Sequence, residues 1–273
     1  MGDQRIIILI SANSEWRAVK EILDPSQVQS TPMGDTFDDR SLTYFHGGWG
    51  KISAAATTQY VIDHFQPTLL VNLGTCGGFE GHIVHGTILL VTKTIIYDIF
   101  EQMSDPQDAI AHYTTKPDLS WFNDRGPLTA NHGPVSIIRG LLISADLDIL
   151  PADIPGLVQK YGAVAADWES GAIAWVANRN GVRCLILRGV TDLVGDEGGE
   201  VYGNIGLFHR NTMSIMKTLI DQLPVWLEGL EIRLADVRLL CWFSRASPGE
   251  IDLARLPLSS YLRVSIINDL RYL

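Results

Sequence analysis

The stretch Val164–Asp192 constrains this chain more than any other. Ala163–Ala166 is a short apolar run that reads as a buried strand. Asp167 and Glu169 follow at its end, and the small, apolar residues Ser170–Ala177 suit a closely packed helix. Gly181 stops that helix, and Val182–Leu187 reads as a second buried strand with Asp192 just past its end. A strand–helix–strand unit predicts two parallel strands whose C-terminal ends open on one edge of the sheet. Open α/β sheets bind ligands at that edge. Asp167, Glu169, Arg188, Thr191 and Asp192 are therefore expected to converge, though they are far apart in sequence. Taken singly, each acidic residue is as much at home as a helix cap. Two acidic clusters at one edge are what suggest a site.

The rest of the chain can supply a core around this unit. It has 273 residues, 46% hydrophobic and 19% charged, which fits one large α/β domain or two small ones and excludes extensive disorder. A formal charge of −10 argues against nucleic acid as the main partner. The odd count of three cysteines, Cys76, Cys184 and Cys241, has no regular spacing and fits a reducing compartment rather than a disulfide framework. No CxxC or HExxH pattern marks a zinc site. His82 and His85 flank a turn without further ligands, so no metal or cofactor is expected. The run Ile6–Ile10 is too short for a signal segment or a membrane span. The expectation is a cytoplasmic protein without membrane contact.

Read in order, Arg5–Ile10 is a buried strand, and Ser14 is the expected N-cap of a helix Glu15–Leu23, which places Glu15 and Arg17 near a strand's C-terminal end. Thr31–Asp39 is polar and turn-like, and Leu42–His46 is a strand. Gly47-Gly48-Trp49-Gly50-Lys51 then leads into a helix Ile52–His64. Thr68–Leu73 is a strand running into a second glycine-rich turn, Gly74-Thr75-Cys76-Gly77-Gly78. Such turns expose N–H groups that can hold an anion or a ribose hydroxyl. Neither is a Walker A loop or a GxGxxG fingerprint. Gly86–Thr92 is a strand, continued through Ile96. Tyr97–Pro127 is a long irregular, aromatic-bearing section of the kind that forms lids or interfaces. Val135–Ser144 is a strand with Gly140 as a bulge, and Ile154–Tyr161 is a helix. Leu207–Leu230 is an amphipathic helix that Pro224 is expected to kink or split. The domain reading is 1–231 as one catalytic domain and 232–273 as an extension of different, Arg-rich apolar character.

Four motifs, Gly48-Trp49-Gly50-Lys51, Asn72-Leu73-Gly74-Thr75-Cys76-Gly77-Gly78, Ala166-Asp167-Trp168-Glu169-Ser170-Gly171-Ala172 and Arg188-Gly189-Val190-Thr191-Asp192, together resemble the nucleoside phosphorylase/nucleosidase superfamily. They look most like its methylthioadenosine/S-adenosylhomocysteine nucleosidase branch, over roughly residues 5–230. The resemblance implies a single α/β domain, with a twisted mixed β-sheet, partly barrel-like, flanked by helices. It also implies a homo-oligomer of at least two subunits, a small-molecule nucleoside as substrate, and cleavage of a purine N-glycosidic bond. Asp192 matches the acid that protonates the base, and burial would hold it neutral. Glu169 matches the carboxylate at the ribose hydroxyls. Trp168 replaces a methionine that packs on ribose, and Thr75 matches a small hydroxyl residue beside the ribose and water. Cys76, Gly77, Asp167, Trp49, Arg188 and Ile149 complete the implied binding set.

Three departures stand out. Glu15 is the only candidate for the water-activating glutamate, but counted from Ala12 it falls one place early. No aromatic follows Ser144, where Asp146-Leu147-Asp148-Ile149 stands instead. The tail extends past the usual end. A Gly-Asp-Pro-x-Arg phosphate loop is missing at the first strand, which favours water over phosphate as nucleophile. Arg17 and Arg188 leave a phosphorylase or a nucleosidase of ATP-type nucleotides open, and the displaced Glu15 leaves open a non-catalytic nucleoside-binding module.

Overall fold

The aliphatic run β1 (Ile6–Ile10) is the centre on which the sheet is built, because Ile7–Ile10 have no exposed surface and must be covered on both faces. In the computed structural model, which describes residues 5–122 and 135–243 and their side chains up to residue 227, β1 pairs in parallel with β4 (Leu42–His46) and β5 (Leu69–Phe79). Helices α1 (Asn13–Leu23) and α2 (Gly50–Phe65) lie in the connections. The segment expected to be polar turn is instead a hairpin, β2 (Gln29–Thr31) with β3 (Gly34–Asp39), which adds antiparallel strands beyond β4. Its inward residues Thr36 and Phe37 are buried, a two-residue signal too short to outweigh the surrounding polar sequence.

The second half of the sheet closes on itself. It contains β6 (Ile88–Ile96), the short pair α3 (Pro106–His112) and β7 (Thr114–Thr115), then β8 (Ile137–Ser144). A 3-10 turn at Pro151–Asp153 leads to α4 (Ile154–Tyr161), β9 (Ala165–Asp167), α5 (Ser170–Arg179), β10 (Cys184–Gly195), β11 (Gly198–Gly199) and α6 (Ile205–Phe243). Neighbours run β5–β10–β6–β8–β9 and back to β5, so five strands form a ring that shares β5 with the open β1–β4 part. The result is the mixed, partly barrel-like sheet with flanking helices that the sequence led us to expect.

Four local expectations are corrected. First, β9 is antiparallel to β5 while β10 is parallel to it, so the two strands of the Val164–Asp192 unit are antiparallel to each other. Their acidic residues meet because the ring brings both strands against β5: Gly77 pairs with Asp192 on one side and with Ala166 on the other. Second, Gly74–Gly78 is strand interior rather than turn, and Asp192 lies within β10 rather than beyond it. Glycines are required there by crowding. A Cβ on Gly74 would stand 1.9 Å from Arg188 Nη1, and one on Gly78 would stand 2.6 Å from Ile83 Cγ2. Third, the bulge opposite Gly140 belongs to β6, where Thr92 is the extra residue between Val91 and Lys93. Fourth, Ala12 rather than Ser14 precedes α1 as its N-cap, and α6 runs on through Pro224.

Helix α6 buries Ile215, Met216, Leu219, Ile220, Leu223 and Trp226, the apolar face expected from its spacing. The chain divides into the units Met1–Gly229 and Leu230–Leu273. The 123–127 end of the aromatic section and residues 244–273 of the tail lie outside the described residues. Among the described residues no helix is long and apolar enough to cross a membrane.

Candidate active site

A buried cation organises the site. Arg188, on β10, has no exposed surface. Its Nη2 donates to Asp167 Oδ2 at 2.9 Å and to Asn72 Oδ1 at 2.9 Å, and its Nε donates to Ser170 Oγ at 2.8 Å. Glu15 Oε1 and Glu169 Oε2 stand 3.6 and 3.7 Å from its guanidinium nitrogens. Burial by itself would lower the Arg188 pKa; Asp167, Glu15 and Glu169 outweigh it and raise it. Asp167 is held on both oxygens. Oδ1 accepts from Ser144 Oγ at 2.5 Å, and Oδ2 accepts from Ser170 N at 3.0 Å and from the Ser170 hydroxyl. Its lone pairs are taken up by protein, so it orients Arg188 and the start of α5.

Glu15 is 1% exposed, and its two oxygens are used unequally. Oε1 accepts from Thr75 N at 2.6 Å and Thr75 Oγ1 at 2.9 Å, whereas Oε2 accepts only from Ala12 N, at 3.1 Å. The Glu15 side chain reaches back to the residue before the helix, at the entry into α1. Glu169 Oε1 accepts from Gly50 N at 3.1 Å, at the start of α2. Burial pushes the Glu169 carboxyl up to about 8, against the pull of Arg188. Trp168 is half-buried and stacks on Trp49, ring centroids 4.7 Å apart at 22°. Trp49 remains 62% exposed.

Asp192 sits at an irregularity in the β10–β5 register, where Thr191 is an extra residue between Val190 and Asp192. Such bulges re-aim side chains. Asp192 Oδ1 lies 2.7 Å from Thr191 Oγ1. Burial raises its pKa, and the Thr191 hydrogen bond opposes the rise. Gly77 leaves its side of β5 open: a Cβ there would meet Ile149 Cδ1 at 2.8 Å and come within 3.9 Å of Asp192 Oδ2. Cys76 is fully buried, and burial pushes its thiol well above the ordinary range, so it is a wall and not a nucleophile.

These groups surround one cavity of about 440 Å³. Glu15, Trp49, Thr75, Cys76, Gly77, Ile149, Asp167, Trp168, Glu169 and Asp192 all line it, and Arg188 lies behind the wall they form. The sequence reading missed its far side. Tyr202 and Phe208, with Val201 and Ile205, line it from the loop after β11 and the first turns of α6. Tyr202 Oη donates to Ile149 O at 2.9 Å. Tyr202 follows the glycine-rich segment Gly198-Gly199 by three residues. The pocket offers an acid whose pKa burial raises, a carboxylate with a free lone pair, and a cation-braced ring of carboxyl groups. That combination suits cleavage of a bond that leaves an electron-rich group on one side and a cation on the other.

Known proteins resemble this chain in sequence and fold. The phosphorylase superfamily profile matches residues 33–223. A 5'-methylthioadenosine/S-adenosylhomocysteine nucleosidase of Halalkalibacterium halodurans is 28% identical over 175 residues, covering 61% of this chain and 74% of that protein. One of Maridesulfovibrio salexigens is 29% identical over 166 residues, covering 56% and 68%. Among solved structures, a Helicobacter pylori nucleosidase mutant with 5'-methylthioadenosine in its active site superposes with a TM-score of 0.68 at 19% identity, covering 82% of this chain and 99% of that one. A futalosine hydrolase mutant of the same species reaches 0.62 at 17% identity, covering 81% and 99%. With the profile spanning more than half its length, the chain belongs to the phosphorylase superfamily.

Proposed function

We propose that this chain hydrolyses the N-glycosidic bond of an adenine nucleoside such as methylthioadenosine or S-adenosylhomocysteine. The observation that carries the reading is the pairing of Asp192, whose pKa burial raises, with the Glu15–Thr75–Arg188 cluster on the wall of one cavity. Thr75 and Gly77, their partners on β5, are two residues apart, so the two ends of the site are separated by about 6.6 Å of strand. A glycosidic bond and an attacking water fit that span.

In this reading Asp192 donates its proton to the purine ring nitrogen and lets the base leave neutral. Positive charge develops on the ribosyl carbon. Glu169, fixed by Gly50 N, binds the ribose hydroxyls, and the Glu15 carboxylate stabilises that charge. Trp168 packs on the sugar. Glu15 uses the spare capacity of Oε2 to take a proton from water as it attacks. Tyr202 supplies the aromatic face beside the base that the segment after Ser144 lacks. Arg188, 3.6 Å from Glu15 Oε1, holds that carboxyl in place.

Two further elements belong to the proposal. Residues 1–231 form the catalytic domain and 232–273 an extension. The protein is a cytoplasmic homo-oligomer: Trp49, Ile52 (84% exposed) and Met103 (98% exposed) are apolar surface that a second subunit would cover. Light scattering after gel filtration reads that directly.

The test is base release, followed by chromatography, from methylthioadenosine, S-adenosylhomocysteine, adenosine, inosine and ATP, each with and without phosphate. Free adenine and free sugar without phosphate are expected. Asp192→Asn is expected to remove nearly all turnover with the fold intact, and an unimpaired variant sinks the assignment. Release only with phosphate makes the protein a phosphorylase. Purine binding without release makes it a binding module.

A further inference from the structure

Beyond Val190, β10 loses its neighbour β6, whose pairing ends at Gly189 opposite Ile88. The edge between there and the β11 pairing at Val194 carries Asp192, and side chains supply part of its hydrogen bonds. Asn211 Nδ2 donates to Thr191 O at 2.8 Å, on one side of Asp192. On the other side Leu193 N donates to Glu200 Oε2 at 2.8 Å, while Glu200 N donates back to Leu193 O at 3.1 Å. Glu200 thus occupies both positions that a paired strand would offer Leu193. The same Oε2 is bonded to His85 Nε2, on the loop between β5 and β6. That loop is itself tied to β10, since Gly86 N donates to Val190 O at 3.0 Å. The two residues after Glu200, Val201 and Tyr202, line the cavity, and Tyr202 Oη is bonded to Ile149 O.

We propose that Glu200, held by His85, is a positioning residue for Asp192: it clamps the freed edge of β10 beside the acid and folds the Val201–Tyr202 wall over it. Glu200 touches neither the cavity's reacting groups nor the expected substrate, so it acts through Asp192. The clamp has an electrostatic side. The groups facing Asp192 are Glu200 and Asp148, which favour its protonated form, His85, whose cation would oppose it, and the Thr191 hydroxyl, which also opposes it. Glu200 has the largest effect among these charges. Removing it stabilises the Asp192 carboxylate, so the pKa falls and protonated acid is lost at a lower pH.

The inference rests on the reading of Asp192 as the general acid, and its test is chosen to separate the two. Glu200→Gln keeps an oxygen for Leu193 N and removes the charge; Glu200→Ala removes both. In the free protein, ¹³C NMR of the Asp192 carboxyl is expected to titrate about 0.5 pH unit lower in Glu200→Gln, a small shift because Glu200 and His85 are each 46% exposed and solvent screens them. In the base-release assay, the alkaline limb of kcat/KM for Glu200→Gln lies lower than that of wild type by the same amount while the low-pH plateau holds. Glu200→Ala shows the shift together with a plateau lowered about 10-fold, the usual scale for lost alignment of an acid. An unmoved Asp192 titration in Glu200→Gln, or a wild-type plateau in Glu200→Ala, overturns the proposal. If no substrate releases base, the nucleosidase reading falls, and the carboxyl titration still decides the role of Glu200.

Discussion

Replacing Arg188 by methionine tests the electrostatic core of the site in one step. The guanidinium has no exposed surface and faces Glu15, Asp167 and Glu169, all buried. Methionine keeps the length of the stem and removes the charge, which leaves three buried carboxylates without a cation. Breaking a buried ion pair in this way costs about 3–5 kcal/mol. For a chain of this size that corresponds to a fall in Tm of about 6–20 °C. The pH dependence distinguishes charge from packing. Arg188 lowers the Glu169 pKa, which already stands at about 8, so without it the Glu169 carboxyl titrates higher still in the folded state. A group whose folded pKa exceeds its unfolded value stabilises the protein below the unfolded pKa and loses that contribution as pH rises through the folded one. The deficit of the variant against wild type is therefore expected to be larger at about pH 9 than at about pH 7, because Glu169 stays protonated in both proteins below about 8. Thermal unfolding followed by circular dichroism at both pH values measures it. A loss under about 1 kcal/mol, or a deficit independent of pH, would refute the view that charge balance holds this site together.

Further outcomes follow from single contacts. The wild-type protein itself is expected to lose stability between the ordinary glutamate range and about pH 8, because Glu169 must give up its proton in a buried place; Glu169→Gln should flatten that slope in urea titrations at several pH values. Thr75→Val removes the hydroxyl that donates to Glu15 Oε1 and keeps the backbone donor, so kcat is expected to fall about 10-fold with Tm within a few degrees of wild type. Gly189→Ala places a Cβ 2.2 Å from Ile215 Cγ2 and 3.2 Å from Ile88 Cδ1, and overpacking of this kind is expected to cost about 1–3 kcal/mol by chemical denaturation.

The parts of this protein that could be read from sequence are those where composition and chemistry agree. The aliphatic run Ile6–Ile10 has to be a central strand, and the expected convergence of Asp167, Glu169, Thr191 and Asp192 is met on the wall of one cavity, with Arg188 behind it. The errors share a physical origin. Strand direction around a closed ring depends on long-range pairing, so the antiparallel relation of β9 and β10 is invisible in the unit they bound. The glycines of β5 look like a turn because their role is to admit Arg188 and Ile83, whose approach only the fold reveals. Counting along the chain also says nothing of how a glutamate in the first turn of a helix reaches back to its N-cap, as Glu15 does to Ala12 N. Tyr202 and Phe208 reach the cavity through a loop whose course no periodicity encodes.

The stacked indoles of Trp49 and Trp168 have a spectroscopic consequence. Two such chromophores 4.7 Å apart and inclined at 22° share their electronic excitations, which produces a split, bisignate circular-dichroism band that a lone indole lacks. Both rings lie on the cavity wall, so a bound molecule that shifts either one alters the splitting. Trp49→Phe would abolish the band and identify its source among the seven tryptophans. The chain therefore carries its own optical gauge of occupancy, and unlabelled compounds could be ranked by titration before any product is detected.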